Sequence, residues 1–374
     1  MKILYVFRSL AVWGGIERVL VEKMNYLVSM YSYNVYMLTS DQGCHPIPYH
    51  LDERVHFEDL GIRFHQKYQY NRLKRYWIGK RLKALYEQKL SDRISSICPD
   101  VIACTTADHI DSLVRLKGAV PLVVESHSIC LRTIDSGRFW LQSKWYRYHY
   151  LKAISEADVI VALTEGDAAE WRKVHSHVEV IPNMISLGHD AQSTLNNKRV
   201  IFVGRFDYQK RPLEMIRIWK SVFPKHPDWR LDIYGEGEQL KELNEISRSL
   251  HMNITIHLPT ERIFDCYGES DLLVSTSLFE PFGLVILEAM SCGLPVVAYD
   301  CPYGPGDMIV EGKNGFLIND GDIDGFVEKL SLLMDSLAMR RRMGAMATSV
   351  ARKYMASSIM PQWKSLFEKL LHKQ

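Results

Sequence analysis

Along this chain, apolar runs of four or five residues alternate with longer stretches whose apolar positions recur every three or four residues. Ile3 to Phe7, Val35 to Leu38, Pro99 to Ala103, Pro121 to Glu125, Val159 to Leu163 and Val178 to Ile181 are almost continuously apolar, the pattern of strands covered on both faces. Between them, spacings such as Val19, Leu20, Met24 and Leu27 predict amphipathic helices. The alternation restarts at Val200 to Val203 and continues through Leu231 to Tyr234, Asp271 to Ser275 and Pro295 to Tyr299. Repeated strand and helix predict an α/β protein with doubly wound, Rossmann-like parallel sheets, and 374 residues suit two such domains. The polar, aperiodic stretch Ser186 to Lys198 separates the two series. The expected division is residues 1–187, a linker at 188–198, a second domain at 199–357 and a closing helix at 358–374. Trp363, Leu366, Phe367 and Leu370 form the apolar face of that helix.

The most informative stretch is FEPFGLVILEAMSCGLPVVA, Phe279 to Ala298. Glu280 and Pro281 precede Phe282 and Gly283, and Leu284 to Met290 reads as a buried helix. The first turn of such a helix presents free N–H groups and a partial positive charge, and glycine lets an anion approach the backbone closely. Glu280 and Glu288 place a carboxylate on each side of this anion site, each suited to accepting hydrogen bonds from hydroxyls. A ligand with a central diphosphate and hydroxylated rings at both ends fits that arrangement.

Two other strand ends carry chemistry of the same kind. Val200 to Val203 ends in Gly204-Arg205, with Lys210 five residues later, so a guanidinium and an ammonium stand ready for a diphosphate. Ile3 to Phe7 leads to Gly14-Gly15-Ile16-Glu17 at a helix start, and Pro121 to Glu125 is followed closely by His127, which falls beyond a strand's carboxyl end. Gly235-Glu236-Gly237 lacks the third glycine of a dinucleotide fingerprint. Asp320, Asp322 and Asp324 resemble a calcium loop only at first, because its twelfth position is Ser331 rather than a bidentate Glu.

Glu280, seven intervening residues and Glu288, together with the Gly204-Arg205…Lys210 pair, the Gly14-Gly15-Ile16-Glu17 run and the Gly312 to Leu317 element, resemble the retaining glycosyltransferases of family 4, also called glycosyl transferases group 1. The resemblance covers the whole chain and is strongest from Val200 to Leu317. It implies the GT-B fold: two Rossmann-like domains facing across a cleft, with the C-terminal helix crossing back to the first. It also implies transfer of a hexosyl or N-acetylhexosaminyl group from a nucleotide diphosphate sugar, UDP-linked, to a glycan or lipid-linked acceptor in cell-surface polysaccharide assembly. Carried over, the donor would meet Gly15, Gly204, Arg205, Lys210, Glu280, Phe282, Gly283, Leu284 and Glu288. Glu280, His127, Arg205 and Lys210 would serve the chemistry, with no metal and no cofactor. A nucleotide-sugar epimerase and a noncatalytic partner subunit are the alternatives on the same fold.

Composition narrows the partners. A net charge of +2 offers no field for nucleic acid. Seven scattered cysteines, odd in number and without C-x2-C spacing, suit a reduced, cytoplasmic protein, and MKILYVF reads as a first strand rather than a signal peptide. One local excess stands out. Between Lys67 and Leu85 lie seven basic residues and no acidic one, interleaved with Tyr70, Leu73, Tyr76 and Trp77, and residues 138–152 carry a second aromatic and basic cluster. Both segments suit contact with an anionic membrane, which would make the protein peripheral on the inner face.

Overall fold

The computed structural model describes residues 1–106, 108–134, 140–185 and 191–372, without the side chains of residues 140–146. The chain forms two compact units, one of Met1–Pro182 with Met360–Gln374 and one of Asn183–Ile359.

The first unit is built on a seven-stranded, all-parallel sheet: β1 (Lys2–Phe7), β2 (Asn34–Thr39), β3 (His56–Asp59), β4 (Val101–Thr105), β5 (Leu122–Glu125), β6 (Val159–Ala162) and β7 (Val178–Val180). Their spatial order is β3-β2-β1-β4-β5-β6-β7. The topological switch therefore lies between β1 and β4, where doubly wound sheets bind ligands beyond the strands' carboxyl ends. Strands β1, β4, β5 and β6 are buried almost throughout, as their unbroken apolar sequences require. Helix α1 (Gly15–Tyr31) follows β1 and buries Val19, Leu20, Met24 and Leu27. The final helix, Ala356–Leu371, supplies Met360, Trp363, Phe367 and Leu370 to this unit's interior.

The second unit holds a six-stranded parallel sheet of β8 (Arg199–Val203), β9 (Arg230–Tyr234), β10 (Ile254–His257), β11 (Leu272–Ser275), β12 (Val296–Asp300) and β13 (Gly315–Asn319). The order is β10-β9-β8-β11-β12-β13. Its core clusters around Phe202, Phe206, Trp219, Leu231, Tyr299 and Phe326.

Two sequence expectations need correction. The stretch read as a linker at 188–198 is bound to the second unit from Ala191 onward, and the boundary falls at Pro182. The buried Asp271 carboxylate accepts the Asn197 and Arg199 amides at 3.0 and 2.8 Å. Arg340, also buried, donates to Leu195 O at 3.0 Å. Polarity here marks backbone groups tied down by side chains, not a free tether. Three strands, β3, β10 and β13, were not anticipated.

The basic segment at 67–85 divides between a 3-10 turn and a helix. Phe64–Gln69 makes a 3-10 turn, and α2 (Arg72–Ile97) begins after Asn71, whose side chain accepts the Lys74 amide at 3.0 Å. The buried residues of α2 are Tyr86, Leu90, Ile94 and Ile97, all in its second half. In its first half Leu73, Tyr76 and Trp77 are exposed by 80, 56 and 67%. In the second basic segment, Arg138 and the side chains of 140–146 lie outside the described residues; Tyr148 is exposed.

Candidate functional site

In the second unit, the carboxyl ends of β8 and β11 and the start of the helix Leu284–Ser291 carry Gly204, Arg205, Lys210, Glu280, Phe282, Gly283, Leu284 and Glu288, while Gly15 lies in the first unit. A Cβ at Gly235 would stand 1.9 Å from Gly204 O, and one at Gly237 would stand 2.6 Å from Phe206 O. These glycines therefore let the turns after β8 and β9 pack backbone to backbone. That is the task of the G-x-G turn here.

After Gly204 the chain is folded by Asp207, whose Oδ1 accepts the amides of Gln209 and Lys210, both at 3.0 Å. Arg211 follows in the left-handed region, φ 51°, and Pro212 opens a helix. A non-glycine residue holds that conformation only when its surroundings impose it. They do so here. Arg211 Nε donates to Thr276 O at 2.8 Å, its guanidinium pairs with Asp320, and the buried Thr276 hydroxyl donates to Arg211 O at 2.9 Å.

Lys210 is thereby aimed at Glu280. Its Nζ lies 2.5 Å from Glu280 Oε1, and the same oxygen accepts from Ser277 Oγ at 2.7 Å. Glu280 Oε2 has no hydrogen-bond partner among the described residues. The Glu280 backbone is fixed as well, its amide on Pro302 O at 2.7 Å and its carbonyl taking the Tyr303 amide at 2.8 Å. Arg205 is the open member of the set. Its side chain is 66% exposed, 3.3 Å from Asp207 and 2.7 Å from Gln209 Oε1.

Gly283, with φ 97°, caps the helix Leu284–Ser291, as the sequence predicts. Phe282 differs from expectation: it is buried, its ring meets the Tyr354 ring edge-on at 5.8 Å, and its carbonyl fills the space where a Cβ of Gly304 would be. Leu284, the first residue of the helix, is half-buried. Glu288 is buried inside the helix and accepts from Tyr267 OH at 3.2 Å. Burial, with Glu288 nearby, pushes the Cys292 thiol up to about 11.

The first unit places its candidates at the carboxyl side of its own sheet. Gly14 caps α1 in an extended conformation that leaves Gly15 as the first helical residue, and Tyr49 OH donates to Gly14 O at 3.1 Å. Glu17 curls back over Gly14, where a Cβ would meet its Oε2 at 2.1 Å. Burial pushes the Glu17 carboxyl up, opposed by its own amide and by His127. His127 Nε2 lies 3.0 Å from Glu125 Oε2 at the end of β5, and Glu125 pairs with the buried Lys23 of α1. Next to the switch point, a cavity of about 200 Å³ is lined by Arg8, Asp41, His65, Lys67, Tyr68 and Asp108, among others. Burial pushes the Asp108 carboxyl up to about 7 against the opposing Thr105 hydrogen bonds.

Sequence reasoning missed Asp207, Arg211, Thr276 and Ser277, which hold the Lys210 and Glu280 pair, and Lys23 and Glu125, which hold His127. One signal was present: Lys23 falls on the apolar stripe of α1 between Leu20, Met24 and Leu27, where a lysine needs a partner.

Two family models match in succession, Glycosyltransferase Family 4 over residues 13–189 and Glycosyl transferases group 1 over residues 189–350. The chain is a glycosyltransferase of the GT-B fold. An uncharacterised glycosyltransferase of Haemophilus influenzae is 26% identical over 98% of this chain and 99% of its own length. An exopolysaccharide phosphotransferase of Streptomyces coelicolor is 31% identical over 58% of the chain, which spans only 24% of that protein. A poly(ribitol-phosphate) α-N-acetylglucosaminyltransferase of Staphylococcus aureus is 27% identical over 62% of the chain and 48% of its own. Among solved structures, sucrose-phosphate synthase of Thermosynechococcus elongatus superposes with a TM-score of 0.82 at 16% identity, covering all of both chains. Anabaena HepE in complex with UDP and glucose superposes at 0.72 and 21%, over 99% of this chain and 100% of its own. At these identities the structural likeness speaks for the fold alone. An amylovoran biosynthesis glycosyltransferase of Erwinia amylovora is 28% identical over 56% of the chain and 62% of its own length.

Proposed function

We propose that this glycosyltransferase moves a hexosyl or N-acetylhexosaminyl group from a UDP-sugar to a glycan or lipid-linked acceptor, with retention of configuration and without a metal. The observation that carries the reading is the Lys210 and Glu280 pair, fixed by Ser277, Thr276 and Asp207 beside the Gly283 helix start. The helix N–H groups, Lys210 and the exposed Arg205 supply positive charge for a diphosphate leaving group. Glu280, with one oxygen committed to Lys210 and Ser277, keeps its other oxygen for a hydroxyl of the transferred sugar. Glu288, deeper in the same helix, takes the ribose. A double displacement needs a carboxylate nucleophile at the anomeric carbon, and Glu280 is held in a salt bridge instead. Reaction on one face through an oxocarbenium-like ion pair, with the departing diphosphate helping to deprotonate the acceptor, fits this set better. The cavity beside Asp41 and Asp108 in the first unit is the acceptor's place.

Exposed Leu73, Tyr76 and Trp77 among Lys74, Arg75, Lys80 and Arg81 support peripheral attachment to an anionic membrane, on its cytoplasmic face. Neutralising Lys74, Arg75, Lys80 and Arg81 together is expected to release the protein from phosphatidylserine vesicles in co-sedimentation at low salt; unchanged binding refutes the assignment.

The deciding experiment incubates the protein with a panel of nucleotide sugars in excess EDTA, follows nucleotide diphosphate release, and reads the product's anomeric configuration by NMR. An axial donor giving an axial product supports the proposal. Inversion, an absolute Mg²⁺ or Mn²⁺ requirement, or epimerised donor without transfer defeats it.

A further inference from the structure

Lys23 is 2% exposed, deep in the first unit. Its ammonium pairs with Glu125 Oε2 and lies 3.8 Å from the centre of the Trp363 ring, which the C-terminal helix lays over it. Glu125, also 2% exposed, shares that same oxygen with His127 Nε2 at 3.0 Å. Its Oε1 and the nearby Tyr5 hydroxyl are buried without hydrogen bonds. A packed core would place an apolar residue at position 23 at less cost, because a buried ion pair rarely stabilises more than a well-packed hydrophobic replacement. The pair therefore calls for another reason, and the His127 contact supplies one.

The proton assignment follows from chemistry. An ionised carboxylate only accepts hydrogen bonds, so the imidazole must present Nε2–H to Glu125. Burial pushes the Glu125 carboxyl up, but Lys23 and His127 outweigh it and keep it ionised. Two cations around one anion would leave a net buried charge, whereas Lys23 alone neutralises Glu125. Among the described residues, His127 faces Glu125 from β5 and Glu17 from α1, and Glu125 in turn faces Lys23 from α1, Tyr5 from β1 and Cys104 from β4.

We infer that Lys23 is a positioning residue: by balancing Glu125 it keeps His127 a neutral imidazole, protonated at Nε2, with Nδ1 as an acceptor for a substrate hydroxyl. Its kinetic consequence rests on the reading of His127 as a group that meets substrate; the charge arrangement does not. Removing the ammonium leaves the carboxylate to recruit a proton, and the imidazole is the group in contact with it. A cationic His127 has no acceptor left.

The test uses the full chain with ¹⁵N-labelled histidine, the His127 signals being assigned by their loss in His127→Gln. In the native protein the ring nitrogens should show the neutral Nε2–H pattern at about pH 7.5. In Lys23→Met both nitrogens should shift to imidazolium values at that pH, and kcat/KM with the UDP-sugar donor should fall about tenfold or more, recovering as pH rises. The double variant Lys23→Met with Glu125→Gln buries no net charge, so it keeps the test open where the single variant fails to fold. It should restore the neutral signature and most of the activity. A neutral imidazole in Lys23→Met, or a double variant as impaired as His127→Gln, overturns the inference. An imidazolium in Lys23→Met with unchanged kinetics upholds the charge balance and removes His127 from the reaction.

Discussion

The two units each hold a lysine paired with a glutamate at the carboxyl side of a parallel sheet, and the pairs differ in what surrounds them. Lys23 and Glu125 have side chains 2% exposed and are covered by the Trp363 ring. Lys210 and Glu280 are 16 and 8% exposed, supported from below by Ser277 and Thr276 and flanked by the open guanidinium of Arg205. The same chemical pairing thus serves two ends. An enclosed pair fixes a neighbouring side chain and holds no ligand, while a partly open pair can exchange part of its hydrogen bonding for a substrate.

The sharpest break between them is expected on removing each lysine. Lys210→Ala should lower kcat/KM by about a hundredfold or more, near 3 kcal/mol at a site of developing negative charge, with a smaller loss of thermal stability than Lys23→Met because its pair is partly open. Lys23→Met should lower the melting temperature, because the buried carboxylate loses its ammonium and must draw a proton onto His127. Equal melting losses for both variants would erase the distinction. Next in size is the split between the glutamates. Glu280→Gln should chiefly reduce kcat, whereas Glu288→Gln should chiefly raise KM, by about tenfold for ~1.4 kcal/mol, because ribose contacts change little between ground and transition states. Calorimetry with free UDP checks the assignment: near-normal binding by Glu280→Gln and weak binding by Glu288→Gln is expected, and the reverse means the donor runs the other way. Arg205, mostly in solvent, should matter less than Lys210. Arg205→Ala is expected to cost about tenfold in kcat/KM, its loss growing at low ionic strength.

A further difference concerns pH. The Asp108 carboxyl is pushed up to about 7 by burial, so the folded state favours its protonated form. Its contribution is complete below the ordinary aspartate range and is lost as pH rises through about 7. Denaturant unfolding at about pH 4.5 and pH 8 should show that slope in the native chain and a flatter one in Asp108→Asn. Identical slopes would mean that the cavity wall hydrates the carboxylate.

The strands buried on both faces were legible because parallel packing demands continuous apolar runs: β1, β5, β6, β8, β9 and β12 lie within a residue or so of their expected limits. The strands β3, β10 and β13 are outer strands and escaped, whereas the outer strand β7 was legible from its apolar run Val178 to Ile181. HFED in β3 is exposed or half-buried throughout and carries the mixed polarity this allows, while GFLIN in β13 is largely buried but too short and too close to the Gly312 turn to stand out. In the second unit, the charged and glycine positions that gather at the strand ends and the helix start were readable at Arg205, Lys210, Glu280 and Gly283. Their supports were not, since Thr276, Ser277 and Asp207 reach their partners only through the pairing of distant strand ends. The linker reading failed for a related reason: a polar run looks the same whether water or Asp271 and Arg340 satisfy its backbone.

The closing helix bears on how the protein is made. The first unit's interior includes Met360, Trp363 and Phe367, which the ribosome adds only after the entire second unit. Domains usually fold as they emerge, N-terminal first. Here the earlier one waits with Lys23 uncovered until the last turns arrive, so the nascent first unit is the stage at which a chaperone or a protease has most to bind.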